Sequence, residues 1–176
     1  MDELQGKKIV VLLEELYNEQ EYWYPKIRLL EAGAEVVTAS AEAGKTYHSK
    51  VGLPAKADVT YGQLHASDLD GVIIPGGFAP DFMRRSPDCL KLVKTLFEQG
   101  KLVAFICHAG WVAVSAGILK GKQATSFSGI KDDMVNAGAL WRDAAVVQDG
   151  NLISSRTPAD LPAFMRAIMA FLKTLA

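Results

Sequence analysis

Cysteine is nearly missing from this 176-residue chain, occurring only at Cys89 and Cys107. The two fall in different expected elements, which argues against the disulfide framework of a small secreted domain and favours a cytoplasmic protein with free thiols. Histidine is scarce as well. His48, His65 and His108 show none of the His/Cys spacing of a zinc site, and no metal or other cofactor is implied. Neither sign of charge is in excess: 19 Lys and Arg face 20 Asp and Glu, scattered along the chain. Hence there is no basic stripe for nucleic acid and no basic amphipathic helix for a membrane surface. Long apolar runs are lacking too, and none approaches the roughly 18 residues of a spanning helix. The polar, acidic start from Met1 to Lys8 does not read as a secretory signal. Repeats, low-complexity stretches, a Gly-x-Gly-x-x-Gly loop and a Walker loop are all absent.

What remains is a chain with 49% hydrophobic and 22% charged residues, the balance of a soluble globular protein. Residues 1–176 are expected to form one domain, long enough for a full hydrophobic core. Short runs rich in β-branched residues alternate with helical patterns. Lys8–Leu13 reads as a buried strand and Glu14–Gln20 as a connection. Glu21–Glu31 reads as a helix with Trp23, Ile27 and Leu30 at helical spacing, stopped by Gly33, and Ala34–Ser40 as a second strand. A strand, helix and strand within about 30 residues make a βαβ unit and imply a parallel sheet. Ala41–Tyr61, punctuated by Gly44, Gly52 and Pro54, suggests a hairpin or extended excursion beside that sheet.

Asp70–Pro75 is expected as a strand ending in Gly76-Gly77, and Asp88–Gln99 as an amphipathic helix stopped by Gly100. Leu102–Ile106 follows as a strand and Gly110–Gly117 as a helix. Thr125–Ser128 reads as a short strand, Gly129–Ala137 as a helix, and Ala144–Ser155 as two strands about an Asp-Gly turn. Pro158–Leu175 closes the chain as a long helix with proline in its first turn. The sum is a three-layer α/β sandwich with a mostly parallel sheet.

In such a sheet ligands gather beyond the C-terminal ends of the strands, and three of those ends carry unusual residues. The first strand leads into Glu14, Glu15, Glu19 and Glu21; the second of interest ends in Gly76-Gly77; the third ends in Cys107-His108. Cys107 falls on the turn from strand to helix, where the first helical N–H groups favour a thiolate. That placement follows the logic of a nucleophile elbow, although a small buried hydrophobe ending a core strand satisfies the same local pattern. The N–H groups of Gly77 and His108 are candidates to bind an oxyanion. Glu21, in the first turn of its helix, is the acidic residue best placed to face the pocket.

These segments together, Ile106-Cys107-His108, Pro75 to Asp81, Gly129 to Met134 and Ser155 to Leu161, resemble the PfpI branch of the ThiJ/PfpI superfamily from about Lys8 to Leu172. The resemblance implies a flavodoxin-like sandwich that works as a homodimer or hexamer. It implies that Cys107 is the nucleophile, that Glu21 contacts its sulfur, and that His108 is the base of the protease-like members. Asp81 then corresponds to the acidic residue that orients this histidine from a neighbouring subunit, and Gly77 and His108 to the oxyanion amides. Three positions depart from the family pattern: Asn18 replaces an acidic residue, Phe127 a tyrosine or histidine, and Asp81 the longer glutamate.

The functional expectation is a cysteine-dependent, stress-protective enzyme acting on small carbonyl compounds or their adducts. A peptidase or amidase using Cys107, His108 and Asp81 across a subunit interface is the second reading. The third is a redox sensor or chaperone-like protein whose thiol is oxidised without turnover.

Overall fold

Runs such as Ile9–Leu12 and Leu102–Ile106 carry no polar alternation, as strands covered on both faces require. In the computed structural model, which describes residues 3–175, these runs lie at the centre of a seven-stranded sheet. Its strands are β1 (Lys8–Leu12), β2 (Glu35–Ser40), β5 (Val59–Thr60), β6 (Gly71–Ile74), β7 (Leu102–Ile106), β10 (Val146–Asp149) and β11 (Leu152–Ser155). They are ordered β10-β11-β7-β6-β1-β2-β5. Val10 pairs with Val37 on one side and Val72 on the other, and Val72 pairs in turn with Val103, all in parallel. Only β10 runs antiparallel, as the hairpin partner of β11.

Helix α1 (Glu19–Glu31) packs on β1 and β2, and α6 (Leu161–Leu172) packs on β7, β10 and β11 beside it. On the other face α3 (Pro87–Glu98) covers β6 and β7, and α4 (Gly110–Ala116) packs against α3 and β7. Helices on both faces of a mostly parallel sheet make the expected three-layer sandwich. The excursion from Ala41 forms a hairpin of β3 (Thr46–His48) and β4 (Pro54–Lys56) before β5 rejoins the main sheet at its edge.

Several local expectations need correction. The strand placed at Thr125–Ser128 is instead β8 (Gln123–Ala124), paired in parallel with β9 (Leu140–Trp141). Beyond Ala124 the Thr125 N–H bonds to the Ser154 hydroxyl at 2.9 Å and the Phe127 N–H to the Cys107 carbonyl at 3.2 Å. That pairing carries the backbone away from a ladder and past the strand ends. A short helix α2 (Ala79–Met83) follows the Gly76-Gly77 loop, and α5 (Lys131–Asn136) begins after one 3-10 turn.

Helix α1 is also rotated relative to the reading from Trp23, Ile27 and Leu30. Its buried residues are Glu21, Tyr22, Pro25 and Leu29, while Ile27 is 58% and Leu30 49% exposed. The hydrophobic pattern misleads here because a carboxylic acid occupies an inward position.

Candidate active site

The sheet reverses its winding between β1 and β6, and the site forms beyond the C-terminal ends of β1, β6 and β7. After β7 the chain turns sharply into a 3-10 turn at Cys107–Ala109 and then α4. Cys107 sits at this corner with φ +63°, left-handed backbone that a residue with a Cβ rarely adopts. The turn swings the side chain off the sheet, leaving it 9% exposed at the pocket floor.

Glu21 is delivered from α1, whose first turn is capped by Asn18. The Asn18 side-chain oxygen accepts from the N–H groups of Gln20 at 3.1 Å and Glu21 at 3.2 Å. The Glu21 side chain is fully buried. Its Oε2 accepts the Gly76 N–H at 2.7 Å, and its Oε1 is enclosed without a hydrogen-bond partner in this geometry. Burial pushes the carboxyl up to about 7, against the smaller pull of the Gly76 N–H and the Cys107 thiol. Glu21 is therefore substantially protonated at neutral pH.

Both glycines of the β6 loop are required by space. A Cβ on Gly76 would sit 2.5 Å from Glu21 Oε2 and 2.8 Å from Cys107 Cβ. Gly77 has φ +79°, and a Cβ there would meet the backbone of Leu16 and Asn18 at 2.5 Å. This packing directs the N–H groups of Gly77 and His108 at the cysteine sulfur, where each lowers the thiol's pKa.

Those N–H groups favour the thiolate, as the position of the turn suggested, but they act against two opposing influences. Burial, and then the Glu21 carboxylate, outweigh them and push the thiol up to about 12. A proton acceptor lies beside it: His108 Nδ1 is 3.3 Å from Sγ. Burial and the Lys50 ammonium hold His108 below its ordinary value, so the ring is neutral at pH 7 and able to take a proton. The imidazole is fixed by stacking on Phe127 at 4.7 Å and by an edge contact with Trp111 at 5.2 Å.

Asp81 is the one expected site residue that is not brought to this group within the chain. It lies in the first turn of α2, ion-paired with Arg85 one turn along. Among the described residues, no hydrogen bond reaches the His108 imidazole other than the one to Sγ.

The pocket above Cys107 has a volume of about 400 Å³, with Phe78, Trp111, Phe127 and Pro158 as apolar walls. Asn18, Lys50 and Thr157 supply its polar rim. Lys50 and Thr157 were missed as pocket residues from sequence. Lys50 belongs to the β3–β4 excursion and reaches the site because its N–H bonds to the Tyr17 carbonyl at 3.0 Å, a contact with no local signature. Among the described residues there is no cluster of three or more His, Cys, Asp or Glu able to hold a metal. Among the described residues, no helix is long and apolar enough to cross a membrane.

Residues 7–171 match the pattern of the DJ-1/PfpI family. The chain belongs to the DJ-1/PfpI family. Among DJ-1/PfpI relatives, the deglycase PfpI of Pyrococcus furiosus is 42% identical, over 94% of this chain and 99% of its own length. YraA of Bacillus subtilis, provisionally named a cysteine protease, is 41% identical over 96% of this chain and 99% of its own. A crystal structure from Anabaena variabilis, of a two-domain protein with DJ-1/ThiJ/PfpI-like and ferritin-like domains, superposes with a TM-score of 0.93 at 45% identity. The match covers 95% of this chain and spans about half, 48%, of that longer protein. Family and fold thus agree with the resemblance carried by the Cys107, Gly76-Gly77 and Ser155–Leu161 segments.

Proposed function

We propose that this protein is a cysteine-dependent enzyme that acts on reactive carbonyls or their adducts, with Cys107 as nucleophile. The observation that carries the reading is the Cys107 sulfur lying 3.3 Å from a neutral imidazole, with two N–H groups directed at it and a buried, protonatable carboxyl behind it. The relatives named deglycases support the same chemistry.

In this mechanism Sγ attacks the aldehyde carbon of methylglyoxal. An adduct first collapses in the pocket, its carbinol O–H giving up a proton as the C–N or C–S bond breaks, so that the amine or thiol leaves protonated and the freed aldehyde is what Sγ attacks. As the C–S bond forms, the thiol proton passes to His108 Nδ1, so no free thiolate has to exist beforehand. The N–H groups of Gly77 and His108 stabilise the negative charge that develops on the carbonyl oxygen. Protonation of that oxygen gives a thiohemiacetal. Its C–H proton is then removed and a proton is returned to the adjacent carbonyl carbon, with His108 and Glu21 as the exchanging groups. The product of this internal redox step is a thioester of a 2-hydroxy acid. Water cleaves the thioester, releasing the hydroxy acid and restoring the thiol.

The peptidase reading shares Cys107 and His108 but needs Asp81 of a second copy, because this chain's own Asp81 is paired with Arg85. A panel of methylglyoxal, a methylglyoxal-modified amine and a peptide, assayed with wild type and Cys107→Ala, tests both. Loss of carbonyl turnover by at least about a hundredfold in the variant is the expected result. Cysteine-dependent cleavage of the peptide alone would favour the peptidase. Absence of turnover on all three would leave the thiol as a redox sensor.

A further inference from the structure

Among the described residues lining the pocket, Lys50 is the one Lys, Arg, Asp or Glu. Lys50 is exposed on the turn after β3, and among the described residues its ammonium has no carboxylate within ion-pairing distance, so the positive charge is not neutralised internally. Asn18 stands on the same rim. Its side-chain oxygen is committed to the α1 cap, which leaves its amide nitrogen as a donor without a protein partner. A carboxylate at position 18 would cap the helix equally well but would place a negative charge on the rim. Trp111 and Phe127 line the same pocket and are apolar, so a charge held there beside Lys50 is less screened than in open water.

We propose that Lys50, with the Asn18 amide, forms a subsite for a carboxylate group of the substrate. The preferred substrate is then a carbonyl adduct whose amine- or thiol-bearing half carries a free carboxylate. A single flexible ammonium and one amide N–H₂ suit a monoanion; a phosphate dianion is better matched by a guanidinium fork or a row of backbone N–H groups. Lys50 lines the same pocket as Cys107 and His108, and its charge lowers the titration of both and of Glu21. A carboxylate seated on Lys50 would therefore hold the adduct's carbonyl carbon next to Sγ. The inference deepens the carbonyl-adduct reading above and rests on it for turnover, although the binding step can be measured independently.

The test uses hemithioacetals of methylglyoxal with N-acetylcysteine, which carries a carboxylate, and with N-acetylcysteamine, which does not. Wild type is expected to favour the carboxylate by about tenfold in kcat/KM, equivalent to about 1.4 kcal/mol. Lys50→Met should bring the ratio close to one, Lys50→Arg should retain most of it, and Lys56→Met, on β4, should leave it as in wild type. A preference that survives in Lys50→Met, or a loss shared equally by both substrates, would overturn the assignment. Binding is read separately by calorimetry with N-acetyl-S-(2-hydroxypropyl)cysteine, a stable thioether, and its uncharged amide. Tighter binding of the acid that depends on Lys50, in a protein that turns over neither hemithioacetal, would sustain the subsite while refuting the carbonyl chemistry. Turnover with no carboxylate preference and equal binding of acid and amide would do the reverse.

Discussion

Cys107 combines two local penalties, a left-handed backbone at φ +63° and a polar atom at the pocket floor. A left-handed conformation is destabilising by roughly 1–2 kcal/mol for a residue with a Cβ, and it persists because β7, the Gly76-Gly77 loop and the Phe127 N–H hold the turn from three sides. Glycine relieves the strain while alanine keeps it. Cys107→Gly is accordingly expected to be more stable than Cys107→Ala by about 1 kcal/mol in urea unfolding, although both lose the thiol. Equal stabilities would show that the turn carries no strain. The position of Cys107 on the strand-to-helix turn was readable from the apolar run before it and the small residues after it. The upward push on its titration was not, because burial, the larger cause, is set by the tertiary fold, and the second cause, the Glu21 carboxyl, comes from a distant part of the chain.

At the scale of elements, α1 sets the site's acid. Its N-cap residue, Asn18, accepts two backbone N–H groups of the first turn, one of them that of Glu21 itself. Asn18→Ala is expected to destabilise the protein by about 1 kcal/mol, and Asn18→Asp to leave stability close to wild type because aspartate caps equally well. Thermal unfolding of the two variants checks both. The helix was legible as a helix and Glu21 was expected to face the pocket, but apolar spacing alone did not give the rest of its buried face. Glu21, Tyr22, Pro25 and Leu29 keep helical spacing as faithfully as Trp23, Ile27 and Leu30, and hydrophobicity alone selected the wrong stripe. The Thr125–Ser128 segment failed for a related reason. Its residues suit a strand, yet their hydrogen bonds go to Ser154 and Cys107 and the pairing moves back to Gln123–Ala124.

For the molecule as a whole, burying Glu21 links folding to pH. Its folded-state pKa is about 7, above the ordinary 4.5, so the folded chain keeps a proton that the unfolded chain has released throughout that window. Stability from this group is present below pH 4.5, declines as pH rises towards 7, and is flat above. The difference corresponds to about 3 kcal/mol. Glu21→Gln removes the linkage. Relative to wild type, the variant should gain about 2–3 kcal/mol between pH 5 and pH 8 in denaturant unfolding, and an unchanged difference between the two would refute the raised pKa. Glu14 is shifted in the same direction by burial, so the comparison must be variant against wild type and not wild type alone.

The alternation of strand and helix, the parallel sheet and the Cys107 turn follow from short continuous apolar runs and a helical spacing of 3.6 residues, which neighbouring residues carry by themselves. The site depends on contacts that no such period encodes. Glu21 meets Gly76 across 55 positions because β1 and β6 adjoin at the sheet's reversal. Lys50 reaches the rim because a hairpin folds back onto Tyr17. Asp81 remains with Arg85 because that residue, just past the end of α2, lies four positions along the chain and pairs with it. Strand order and helix rotation are settled by how whole faces bury against one another, and that packing decides which charges share the pocket with Cys107.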